Sequence, residues 1–98
     1  MNIKKIMKQA QEAQERLMQE LKETRVSASA GGDMVSVTMN GAKELVTVKI
    51  DPEVVNKEDV EMLQDLILAA VKEAGRRVDE AVQSKVGSLG AGLGIPGL

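Results

Sequence analysis

From Ile3 to Leu21 the apolar residues Ile3, Ile6, Met7, Ala10, Ala13, Leu17, Met18 and Leu21 fall within an arc of about 140° when each residue is turned by about 100°. The pattern predicts an amphipathic helix ending near Thr24, and no Gly, Pro or β-branched run between Met7 and Glu23 opposes it. The period then changes to two. Val26, Ala28 and Ala30 alternate with serines, Val35, Val37 and Met39 with Ser36 and Thr38, and Val46, Val48 and Ile50 with Thr47 and Lys49. Gly31-Gly32-Asp33 and Asn40-Gly41 read as hairpin turns built on positive φ, so the three strands form an antiparallel meander. Asp51-Pro52 stops the third strand, because proline fixes φ and has no amide donor. Asn56 is the predicted cap of a second long helix running to about Lys85, with Glu58 and Asp59 in its first turn.

The second helix carries a main stripe of Val60, Leu63, Ile67, Val71, Ala74, Val78, Ala81 and Val82, yet Met62, Leu66, Leu68, Ala69 and Ala70 add apolar surface on its other sides. A helix apolar nearly all round needs two covers. The sheet supplies one and a second subunit is the simplest other. Gly75 interrupts this helix at a position where a bend or a close crossing would use it. The chain is therefore read as an α+β fold: long helix, three-stranded meander, long helix. One domain spans 1–86, followed by a flexible Gly-rich tail over 87–98. Helices of about 22 and 28 residues, roughly 33 and 42 Å long, overhang strands of roughly 20 Å. Paired antiparallel as a projecting arm, the overhangs would bring Lys4, Lys5 and Lys8 near Arg76, Arg77 and Lys85.

Composition narrows the chemistry. The 98 residues include no His, Cys, Phe, Tyr or Trp. Thiolate nucleophiles, imidazole bases, Ser-His-Asp triads and the common zinc sites are thereby excluded, and no aromatic platform exists for stacking unpaired bases. No enzyme activity, metal or cofactor is expected. A small core that has neither disulfide nor metal points to oligomerisation as its remaining support. The amino-terminal residues lack the apolar run of a signal peptide and no stretch approaches a membrane span, so a soluble, cytoplasmic protein is expected.

The net charge of −2 is unevenly placed: residues 1–25 hold six bases and four acids, whereas 51–61 hold five acids and one lysine. The acids lack the spacing of a calcium loop and suit helix capping. Gly31-Gly32 has no following helix and reads as a turn, not a phosphate cradle.

Taken in order, Gly31-Gly32-Asp33-Met34-Val35, Val37-Thr38-Met39-Asn40-Gly41, Val48-Lys49-Ile50-Asp51-Pro52 and the run from Asp59 to Lys72 resemble the YbaB/EbfC family of bacterial nucleoid-associated proteins. The Met7-Lys8-Gln9-Ala10-Gln11 opening and the Leu93-Gly94-Ile95-Pro96-Gly97 ending are similar too. The resemblance implies a tweezer-like homodimer with helical prongs, double-stranded DNA binding, and a place in the nucleoid. It carries over a region, the basic helix ends, and no sharp motif. The candidate DNA-binding residues are Lys4, Lys5, Lys8, Arg76, Arg77 and Lys85. Arg76 and Arg77 have a second reading as partners of Glu73 and Glu80. The candidate dimer interface is Met62, Leu66, Leu68, Ala69 and Ala70. A protein-interaction module using the amphipathic arms or the apolar tail is the alternative function.

Overall fold

The computed structural model describes residues 2–92, with side chains described as far as Lys85. Helix α1 spans Ile3–Glu23. It starts where the Asn2 side chain accepts a hydrogen bond from the Lys5 amide at 3.4 Å. It stops at Thr24, whose amide bonds the Glu20 and Leu21 carbonyls while its hydroxyl donates to Glu20 O at 2.8 Å. The apolar period and the caps thus agree on both ends. No residue of α1 is buried, so its stripe has no completed cover within the protomer.

Strands β1 (Val26–Ala30), β2 (Val35–Met39) and β3 (Leu45–Ile50) form an antiparallel sheet in the order β1-β2-β3. Helix α2 (Val60–Gly92) packs on β1 and β2. Between them lies the core of Ala28, Val35, Val37, Met39, Ala70, Ala74 and Val78, flanked by Leu63, Leu66, Ile67, Val71 and Val82. Burial alternates along β2, as a sheet with one covered face requires.

The turns differ from the sequence reading. Positive φ falls on Gly31, Gly32 and Asp33 in the first turn as predicted, but in the second it falls on Lys43, not on Asn40-Gly41. The β2–β3 connection is a wider loop, closed by Asn40 N to Glu44 O at 2.9 Å. Its buried Asn40 side chain accepts from the Ala42 and Glu44 amides and donates to Glu44 Oε1, each at 2.9 Å. Gly41 is needed for another reason. Its amide meets Leu21 O at 2.8 Å, and a Cβ there would come within 2.8 Å of the same carbonyl. That junction fastens the end of α1 to the sheet.

A bulge between Thr38 and Met39 sets Leu45 opposite Met39, leaving Val46 as the extra residue. Val48 and Ile50 pair with Val37 and Val35 and share their face, but that part of the face lies beyond the helix. All six residues of β3 are exposed, with Leu45, Val46 and Val48 each more than 40% accessible.

Helix α2 also begins later than predicted. Asn56 organises a preceding turn by accepting from the Glu58 amide at 2.9 Å, and Asp59 accepts from the Met62 amide at 3.2 Å as the effective cap. Glu58 and Asp59 therefore precede the helix, and Glu61 is the acid in its first turn. A single 3₁₀ turn over Pro52–Val54 follows β3, its amide at Glu53 accepted by Asp51. The acids of 51–61 are thus engaged in capping at Asp51 and Asp59. Helix α2 passes Lys85 and continues through Gly87 and Gly90 to Gly92; 93–98 of the predicted tail lie outside the described residues. Among the described residues, what lies over Gly75 is the end of the Lys43 side chain, 3.5 Å from where a Cβ would stand.

Candidate nucleic-acid interface

The six candidate cations fall into two environments. Lys4, Lys5 and Lys8 occupy the free end of α1, all exposed, with no acid in the first helical turn. None takes part in an ion pair among the described residues. At 100° per residue the three span about 100° of arc on the side opposite the apolar stripe. Covering the stripe therefore leaves the lysines in solvent.

The α2 cations are engaged. Arg76 donates from Nε and Nη2 to the two carboxylate oxygens of Glu73, at 3.0 and 2.6 Å, and from Nη1 to Glu80. Arg77 donates from Nε to Glu73 Oε1 at 3.0 Å and from Nη1 to Ser27 O at 2.8 Å, which occupies a carbonyl of β1. Glu73 thus holds both guanidinium groups, and the hydrogen bonds from Arg76 and then Arg77 pull its pKa down to about 2. The same partnership raises that of Arg76. Lys85 reaches across to Glu20 of α1 at 2.8 Å and lowers the pKa of that carboxyl. Of the two readings open for Arg76 and Arg77, pairing with Glu73 and Glu80 is the one realised in the protomer.

Within one protomer the two cation groups do not converge. Arg77 lies at the start of β1 and Lys85 at Glu20, whereas Lys8 and Lys4 are a further 12 and 16 residues along α1, roughly 18 and 24 Å by helical rise. The apolar candidates also separate. Ala70 is fully buried within the protomer, Leu66 is half-buried and lies against Gly31, and Met62, Leu68 and Ala69 are exposed on α2.

This helix–meander–helix arrangement has known counterparts. The profile of the YbaB/EbfC DNA-binding family matches residues 1–93. The chain belongs to that family. A nucleoid-associated protein of Acetivibrio thermocellus is 54% identical over 101 residues, covering 99% of this chain and 89% of the relative. The nucleoid-associated protein Acid345_1974 of Koribacter versatilis is 49% identical over 96 residues, covering 98% and 95%. Among solved structures, the uncharacterized protein HP0035 of Helicobacter pylori superposes with a TM-score of 0.74 at 26% identity, over 91% of this chain and 97% of that one.

For this YbaB/EbfC chain the helical spacing exposed part of the ion-pair network in advance: Glu73–Arg77 and Arg76–Glu80 are i,i+4 pairs and Glu73–Arg76 is i,i+3. Three features went unread. Glu20–Lys85 and Lys43–Asp79 join residues far apart in sequence, and the uncovered face of β3 depends on where α2 crosses the sheet. No local signal encodes these.

Proposed function

We propose that this protein binds duplex DNA as a homodimer through phosphate contacts made mainly by Lys4, Lys5 and Lys8, without base-specific recognition. The observation that carries the reading is the exposure of these three cations at the end of a projecting helix, opposite its apolar stripe and without an ion pair among the described residues. Lysine ammonium groups on a rigid helix end neutralise phosphates and release counterions, which gives affinity but little sequence information. Membership of a DNA-binding family and the nucleoid-associated names of its relatives support the ligand.

The homodimer is supported by what the protomer leaves uncovered: the apolar face of β3, the stripe of α1, and Met62, Leu68 and Ala69 on α2. Two protomers offer about six tip lysines. Neutralising about six phosphates lowers the association constant roughly a thousandfold between about 50 and about 200 mM salt. A salt titration with random-sequence duplex checks this. Lys4→Glu, Lys5→Glu and Lys8→Glu combined should abolish binding at every salt concentration while leaving the oligomeric state unchanged. Undiminished binding by that variant would overturn the assignment of these lysines.

A further inference from the structure

The two cation groups differ in one respect that bears on affinity. Every α2 cation among the DNA-binding candidates is neutralised by a carboxylate, and one side chain, Glu73, accounts for two of the three. Arg76 directs Nε, Nη1 and Nη2 at carboxylates, so all three of its nitrogens are engaged. A guanidinium has five N–H donors in a fixed plane. With three of the five donors committed, including the paired Nε and Nη2 edge on Glu73, Arg76 offers a phosphate only the second N–H of Nη1 and of Nη2 while those bonds stand. Arg77 has only Nη2 uncommitted. Glu73 is itself partly sheltered, its side chain one-third exposed, whereas the two arginines are half exposed. The cations are thus near solvent and the anion that holds them sits beneath.

We propose that Glu73 is an affinity-limiting residue: it occupies Arg76 and Arg77 as an internal substitute for phosphate and keeps both out of the DNA-binding surface. This rests on the duplex-binding reading above and adds to it the residue that sets its strength. The contact is local to the protomer and requires no particular dimer geometry. It explains how a chain of net charge −2 can keep cations at the root of its arms without presenting them as a continuous basic surface. Glu80 holds Arg76 alone and Glu20 holds Lys85 alone, so loss of either frees at most one cation.

The test compares Glu73→Gln with Glu53→Gln in the full-length protein. Glu53 lies in the turn after β3, exposed and without an ion pair among the described residues. Both substitutions change net charge equally, but only the first removes the carboxylate that Arg76 and Arg77 share. Binding to random-sequence duplex is measured by fluorescence anisotropy across a salt series, with circular dichroism melting as the check on folding. Glu73→Gln should tighten binding by roughly an order of magnitude per arginine recruited at about 0.1 M salt, and steepen the salt slope by roughly 0.9 for each. Glu53→Gln should leave the slope unchanged. Equal slopes for the two variants, or weaker binding by a folded Glu73→Gln protein, would overturn the proposal while leaving the tip lysines in place. Binding by Glu73→Gln alone, with none by the wild type, supports it. Absence of duplex binding in all three proteins at low salt overturns both readings, and Arg76→Ala/Arg77→Ala in the Glu73→Gln background should return the slope to the wild-type value.

Discussion

Glu73 and Gly75 lie two residues apart on α2 and mark opposite relations between side chain and helix. Glu73 works through partners at i+3 and i+4, a relation visible in the order of residues alone. Gly75 has no such role in the structure. It is buried and helical, and a Cβ built on it meets only the flexible end of Lys43 at ordinary contact distance. Gly75→Ala should therefore stabilise the protein by up to about 1 kcal/mol through helix propensity, which raises the melting temperature by roughly 4–8 °C in a domain of this size. A thermal melt checks it; a lower melting temperature would mean that the Lys43–Asp79 ion pair passing over this site cannot accommodate a methyl group. Sequence reading assigned Gly75 to a bend or a crossing because glycine in a helix interior demands a reason. The actual neighbour comes from a loop 32 positions away, beyond the reach of periodicity.

At the level of elements, patterning and caps were legible wherever they were local. The limits of α1 follow from its apolar period, Asn2 and Thr24, and the strands follow from two-residue alternation. The errors arose where one residue had two possible jobs. Asn56 and Asp59 can both cap a helix, and the chain uses the first for a turn and the second for the helix. Asn40-Gly41 suggested a tight hairpin, but the glycine serves the approach of the Leu21 carbonyl. Gly41→Ala should accordingly cost about 1–3 kcal/mol by overpacking and loosen α1 more than the sheet. Hydrogen exchange reads this as faster exchange of amides in the last turns of α1 with β2 protection retained in the folded fraction. Uniform loss of protection across both elements would contradict it.

The whole molecule measures 68 × 26 × 15 Å, elongated because α1 and the end of α2 reach past a short sheet. Its small core is concentrated between α2 and the first two strands, while β3 keeps its apolar residues in solvent. The apolar pattern identifies a need for a second cover on α2, where Met62, Leu68 and Ala69 remain exposed, but not the uncovered face of β3. The cause is legible only in three dimensions: the helix crosses β1 and β2, so β3 lacks a cover as well. Placing a charge on that strand, as Val48→Lys does, should convert the proposed dimer to monomer without unfolding the sheet, since edge lysines oppose association. Light scattering after size-exclusion chromatography would show half the wild-type mass, and an unchanged mass would remove β3 from the interface.

The junction at Gly41 has a mechanical corollary. α1 is a lever of about 32 Å that meets the sheet at its base through the close approach of Gly41 to Leu21, with Lys85 bridging to Glu20 one residue further out. A tilt of about 10° at that pivot would carry the outermost lysine through roughly 5 Å, comparable to the rise of one or two base pairs. A small shift at the Gly41–Leu21 contact is thus magnified along α1 to its lysine-bearing end.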